Sequence, residues 1–368
     1  MLDFYNFDEF SIPYWIRVLY WGLYMVVFVY AVWKTVLSTP KNILKKEVSG
    51  LFGVLFALYA VFYCINPDYF SYREWLNETD IKYWEKENIY IYIVLFCRSL
   101  SFDYPYELFR LIVWGGAILL VYCTFRTYRK FLLPGLALLL LFVFHANTFS
   151  YARASLAMAV YFFGVALSLR HNKVIPRLLG TGIAVSSYYF HHEMIVAIAA
   201  LPFLYIPFER KNFSAFSILL LIITIYAISF VGSNLLLLDQ LFDNDELTSR
   251  IENVNEKGQS RFRLSTFINY FKYFYPFYLI TRYLWKKKVP KSIAGMYRVT
   301  SGILILSLAF MVVYGLRSVY TYRILYMAMI PLTLLIGYGY CHGYFKKRQV
   351  LLLLLLAVLS NSIRFINA

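Results

Sequence analysis

The feature that most constrains this chain is a succession of apolar blocks, most of them long enough to cross a bilayer, separated by short charged segments. Crossing the hydrocarbon core takes about 20 apolar residues per helix. Lipid offers no water to satisfy peptide groups, so such blocks have to be helices. Spans are predicted at Tyr14 to Leu37, Val48 to Ile65, Tyr106 to Phe125, Phe131 to Thr148, Ala152 to Leu169 and Val174 to Phe190. Others follow at Met194 to Phe208, Phe213 to Leu238, Thr266 to Trp285, Tyr297 to Leu316, Tyr322 to Cys341 and Gln349 to Ile366. The expected fold is all-α, a polytopic transmembrane bundle of about twelve spans forming one integral membrane domain over residues 1–368. With 61% hydrophobic and 15% charged residues, the chain has far more apolar surface than a water-soluble fold hides.

The charged residues orient the bundle, because cytoplasmic loops of membrane proteins are enriched in Lys and Arg. Alternate loops carry Lys41, Lys45 and Lys46; Arg126, Arg129 and Lys130; Arg170, Lys173 and Arg177; Arg210 and Lys211; Lys286 to Lys288 with Lys291; and Lys346, Lys347 and Arg348. The loops between them are acidic or nearly uncharged, as with Asp68, Glu74, Glu78, Asp80, Glu85 and Glu87, or Asp239, Asp243, Asp245 and Glu246. Both termini are therefore expected outside, in a bacterial cytoplasmic membrane. Outer loops 66–105 and 239–265 would form part of the substrate-facing surface. The same parity splits Val174 to Phe208 into two short helices at His191 and His192, and leaves Asn88 to Leu100 as a half-span at the outer interface or re-entering. The net charge of +16 is scattered over inter-helix loops rather than gathered on a polar domain, which argues against nucleic acid. Cys64, Cys97, Cys123 and Cys341 lack metal or disulfide spacing. The acidic start, Asp3, Asp8 and Glu9, has no basic n-region, so the first helix is expected to be retained. No fixed-period repeat and no matched pair of broken helices points to an inverted-repeat transporter.

Charges within spans are costly, roughly 2.5–3.5 kcal/mol at the bilayer centre, and mark functional positions. Arg153 follows the turn His145 to Tyr151 and heads the small-residue helix Ala152-Arg153-Ala154-Ser155-Leu156-Ala157, a composition that allows close helix packing. Arg317 and Arg323 flank another short outer turn; Arg98 and Arg110, and Arg261 and Arg263, lie at the ends of the two outer loops. Guanidinium groups thus gather on the face that positive-inside bias depletes. Their planar fork of donors suits a phosphate or pyrophosphate, against the plainer role of snorkelling to lipid headgroups. Phe190-His191-His192-Glu193 places imidazoles at an outer helix end, where one serves as a general base or simply caps a turn. Its spacing is not that of a zinc helix. Asp68, after Pro67, reads first as a turn former. An aromatic share of 20% fits interfacial belts, and also grooves that stack sugar rings. No P-loop, GxSxG elbow or kinase pattern occurs.

Four elements in this order resemble the Wzy-type bacterial polysaccharide polymerases, particularly the EpsG-like family: Asp68 with Tyr69 and Tyr72; Tyr151-Ala152-Arg153-Ala154-Ser155-Leu156-Ala157; Phe190-His191; and Tyr322-Arg323-Ile324-Leu325-Tyr326. The chain departs from that pattern at Ala154, where the family often has Gln, and at His192 and Glu193, where small or polar residues are usual. The resemblance implies a glycosyltransferase acting on oligosaccharide repeat units carried by polyprenyl pyrophosphate, without cofactor, nucleotide sugar or required metal. It implies Arg153 and Arg323, with Arg317, as pyrophosphate ligands. The base would be His191, with His192 and Asp68 as alternatives, and Tyr69, Tyr72 and Tyr326 would contact glycan. Implied partners are the lipid-linked oligosaccharide, membrane lipids, a chain-length regulator and a flippase. Related readings are an O-antigen ligase, a non-enzymatic flippase with cations deep in a central cavity, and a membrane acyltransferase.

Overall fold

The computed structural model describes residues 14–37, 50, 53–54, 76, 88–100, 105–128, 152–170, 173–205, 264–284, 289–314 and 324–367. Every regular element among these is helical. In chain order they are α1 (Tyr14–Leu37), α2 (Asn88–Leu100), α3 (Pro105–Tyr128), α4 (Ala152–Arg170), α5 (Val174–Ser186), α6 (Ile195–Ala199), α7 (Leu264–Leu284), α8 (Lys291–Tyr314), α9 (Met329–Cys341) and α10 (Lys347–Asn367). Short 3-10 turns occupy Ser187–Tyr189, His192–Met194 and Leu201–Leu204. Contacts group the chain into two compact units, one of residues 1–195 with 333–368 and the other of residues 196–332.

The apolar helices present apolar residues outward, which distinguishes a membrane protein from a soluble bundle. Trp15, Val26, Val29 and Trp33 of α1, Ile175 and Leu178 of α5, and Leu355 and Leu359 of α10 are all exposed. Such contiguous apolar surface is stable only against lipid or a partner. Among the described residues, Pro105–Tyr128 and Arg153–Arg170 are long and apolar enough to cross a membrane by themselves.

In the first unit α4 is the central element. Residues 154–162 along it are all buried, on every face of the helix, and it packs on α3 and α5. α3 begins with Pro105 at its first position, where a missing amide is harmless. It carries one π turn, Leu111–Gly115, which turns Val113 and Trp114 inward. α4 and α5 cross at backbone contact. A methyl group placed on Gly164 would lie 2.5 Å from the Ala184 nitrogen and 2.6 Å from the Gly180 oxygen, and one on Gly180 would run into Ser168. Gly164 with Ser168 and Gly180 with Ala184 thus form two small-xxx-small pairs that fix an antiparallel register. Gly180→Ala is expected to destabilise the protein by about 1–3 kcal/mol through overpacking. Gly182→Ala, which meets nothing within 4 Å, should leave stability unchanged or raise it. Thermal unfolding of the two variants in detergent checks the contrast.

A tight turn joins α9 to α10. Gly343 adopts φ +71, and the Tyr344 amide reaches back to the Gly339 carbonyl at 2.7 Å, closing α9 in a Schellman motif. α10 then starts with the Lys346 amide donating to Gln349 Oε1 at 2.9 Å. This basic turn matches the loop expected at Lys346, Lys347 and Arg348.

Several predicted spans need correction. α8 starts at Lys291, six residues before the expected Tyr297, where the Pro290 carbonyl accepts the Ala294 amide at 3.0 Å and so caps the first turn. Tyr322 to Cys341 is not one uniform helix: the chain tightens at Ala328, whose amide bonds Leu325 at 3.0 Å, before α9 proper. Pro331, lacking an amide for the Met327 carbonyl, accounts for this. Met194 to Phe208 is expected as one short helix, yet α6 stops at Ala199 and a 3-10 turn with Pro202 follows. Gly302 on α8 allows that turn to approach: a methyl there would lie 2.9 Å from the Ala200 Cβ. The spans predicted at Phe131 to Thr148 and Phe213 to Leu238 lie outside the described residues, as does most of Val48 to Ile65.

Candidate functional site

The break expected at His191 is present, and its cause is legible in retrospect. Ser186 Oγ donates to the Ile183 carbonyl at 2.8 Å and Ser187 Oγ to the Ala184 carbonyl at 2.7 Å. These bonds occupy the acceptors of the last turn and tighten it. The Phe190 and His191 amides both close onto Ser187 at 3.1 Å, and His191 itself is extended, φ −162 and ψ 118. A chain with neither Gly nor Pro thus changes direction at the histidine.

The α4/α5 register decides what this turn meets. Gly164 lies opposite Ala184, and Ser168 opposite Gly180. Further along, the 187–189 and 192–194 turns both contact α4, which brings His191 to the level of its first turns, the end that carries Arg153. That end is about 26 Å from Arg170, seventeen residues along the helix. Arg153 and His191, 38 positions apart in sequence, therefore occupy the same end of one helix pair.

α2 ties the two together. Tyr90, fully buried, donates its hydroxyl to the Arg153 carbonyl at 3.1 Å. Its ring meets Phe190 edge-on at 6.5 Å and Phe109 at 6.2 Å. One tyrosine thus fixes the backbone of the arginine and the residue before the histidine. Arg110, next to Phe109, is also buried. Arg98, by contrast, donates Nε to the Leu76 carbonyl at 2.8 Å and anchors backbone.

His191 is buried, whereas His192 is exposed. Their rings meet edge to face at 5.2 Å. His191 Nε2 lies 3.4 Å from Glu193 Oε2, so a carboxylate stands ready to steady a protonated imidazole. In sequence Glu193 stands in the Phe190-His191-His192-Glu193 group and departs from the family pattern, with nothing to mark it as a partner of His191. Residue spacing i, i+2 does not pair side chains on a helix, but the extended His191 turns them together. Tyr188 and Tyr189, both exposed, add two ring faces to this turn.

The second unit holds Tyr326, half-buried on the stretch leading to α9, with Tyr273 at 6.4 Å. A cation absent from the sequence reading lies beside them: Lys272 of α7, buried, with Nζ 5.2 Å from the Tyr273 ring centroid and 5.9 Å from that of Tyr326. Its only sequence signal is a charge within an apolar segment. Asp68, Tyr69, Tyr72, Arg317 and Arg323 lie outside the described residues. No group of three or more His, Cys, Asp or Glu side chains with metal-binding geometry occurs among the described residues.

A family model described as the EpsG family matches residues 48–367 of this chain. No curated protein and no solved structure matches it.

Proposed function

This chain belongs to the EpsG family, of membrane proteins in polysaccharide biosynthesis, and from that premise we propose that it polymerises lipid-linked oligosaccharide repeat units on the outer face of the bacterial cytoplasmic membrane. The reading takes about twelve spans with both termini outside. The substrate is an oligosaccharide on polyprenyl pyrophosphate, and the product is O-antigen, capsular polysaccharide or exopolysaccharide. A flippase would deliver the units and a chain-length regulator would set product size.

In the reaction, a hydroxyl of the acceptor unit gives its proton to His191 and its oxygen bonds to the anomeric carbon of the nascent chain. The bond from that carbon to the phosphate oxygen breaks, and polyprenyl pyrophosphate leaves with the electron pair. Glu193 stabilises the imidazolium that forms. Arg153, joined by Arg323 and Arg317, holds the pyrophosphate and the charge that develops on it. His192 and Asp68 are the alternative bases, and Tyr69, Tyr72 and Tyr326 the glycan contacts. The observation that best supports this reading is the shared placement of Arg153 and His191 at one end of the α4/α5 pair, bridged by Tyr90.

One observation favours transport instead: Lys272 is a buried cation far from the helix ends, the position expected for a charge lining a flippase cavity. Deleting the gene in its host and sizing the surface polysaccharide separates these readings. Single repeat units at the surface without polymer support polymerisation. Lipid-linked units retained inside support a flippase, and free polymer that never reaches its final carrier supports a ligase.

A further inference from the structure

The turn between α9 and α10 sends its aromatic residues inward and leaves its cations outside. Gly343, in the left-handed region, lets the Tyr344 amide return to the Gly339 carbonyl, and Phe345 lies over Gly339, where a Cβ would strike its ring. Tyr344 and Phe345 are buried as a result. The next three residues, Lys346, Lys347 and Arg348, are exposed. Residues 333–368 contain no Asp or Glu, so this segment supplies no carboxylate of its own to offset them.

α10 then sorts its residues by face. Val350, Leu353, Leu354 and Val358 are buried, whereas Leu352, Leu355 and Leu359 are 40%, 45% and 42% exposed. At about 100° per residue, the three exposed leucines lie within about 40° of Arg348 around the helix. One strip of α10 therefore begins at a guanidinium and continues as exposed leucine for about 16 Å. That is the depth of one leaflet, half of a hydrocarbon core of about 30 Å.

A strip with a cationic head and an apolar body one leaflet long complements an amphiphile whose headgroup is anionic. A second copy fits this face less well. Two chains inserted in the same orientation are related by an axis along the membrane normal, which sets like positions at the same level and would bring two clusters of Lys and Arg together. We propose that the Lys346 to Arg348 turn and the Leu352, Leu355 and Leu359 strip bind an anionic phospholipid of the surrounding bilayer, its phosphate at Lys346 and Arg348 and one acyl chain along α10. The site lies within the first unit and does not depend on the polymerase reading.

The test uses purified full-length protein in neutral detergent, titrated with phosphatidylglycerol or phosphatidylcholine of matched acyl chains, with bound lipid counted by native mass spectrometry. Wild type is expected to bind the first phosphatidylglycerol at least about fivefold more tightly than phosphatidylcholine, the effect of one cation at a membrane surface. Lys346→Gln, Lys347→Gln and Arg348→Gln combined should abolish that preference and leave phosphatidylcholine binding unchanged. Arg126→Gln, which removes an exposed cation from the last turn of α3, should preserve it. Absence of the preference in wild type, its survival in the triple variant, or its equal loss in Arg126→Gln would each overturn the inference. Glycerol phosphate, which lacks acyl chains, should displace the lipid only at concentrations at least about tenfold higher than phosphatidylglycerol itself; displacement at equal concentration would make this a free-phosphate site and the inference wrong. If wild type is dimeric and Leu355→Arg makes it monomeric with phosphatidylglycerol binding unchanged, a second copy covers the strip and the inference is likewise wrong. Should the triple variant not fold, Arg348→Gln alone decides: a loss of phosphatidylglycerol affinity of about threefold or more supports the site, and a smaller loss refutes it.

Discussion

Replacing Arg153 by Ala is expected to lower polymer formation by about 10²–10³-fold at matched membrane abundance, the effect of removing one preorganised donor from a developing charge. The expectation rests on where the residue is held. Its carbonyl accepts the Tyr90 hydroxyl, and it lies on the first turn of the helix around which the first unit packs. On the proposed reading, this fixed backbone limits the reorganisation that the guanidinium needs to meet a pyrophosphate. Arg153→Lys keeps the charge but loses the bidentate fork, and should recover only part of the activity. An arginine that merely snorkels to headgroups would lose little on truncation. Turnover of lipid-linked repeat units by purified variants measures the difference, and near-normal turnover by Arg153→Ala would remove it from the pyrophosphate site.

The second large effect is expected at the helix break. His191→Ala should reduce turnover by about 10²–10⁴-fold, the usual contribution of a positioned general base. His192→Ala should have little effect, since His192 is exposed whereas His191 is buried beside Glu193. Glu193→Gln should fall between the two, because a neutral amide supports the imidazolium less well than a carboxylate. The three variants form one experiment on purified enzyme. If His192→Ala is inactive and His191→Ala is not, the base is His192 and Glu193 is only a turn residue.

These expectations differ in how far each was visible beforehand. Arg153 was legible because a charge beside an apolar helix has few explanations, and His191 because charge parity required a break there. Glu193 was not legible as a partner, because i and i+2 meet only when the intervening backbone leaves the helix. Tyr90 belonged to a segment too short for a span, and its bond to Arg153 joins residues 63 positions apart. Lys272 falls inside the predicted Thr266 to Trp285 span, where averaging over a hydrophobic window hides a single charge.

From the sequence alone follow the helical class, the apolar outward surfaces and the basic turns that end α4 and begin α10, since each depends on what a short stretch of chain contains. The family pattern is also carried by local elements in a fixed order. Which of those elements meet was decided by the tertiary structure. Gly164 and Gly180 let two backbones touch and so set the α4/α5 register, Tyr90 contacts both Arg153 and Phe190, and the Tyr273 and Tyr326 rings lie beside the Lys272 ammonium. The physical reason is that hydropathy reports only how much apolar surface a segment must bury. Helix register is set instead by short-range steric contact between residues distant in sequence.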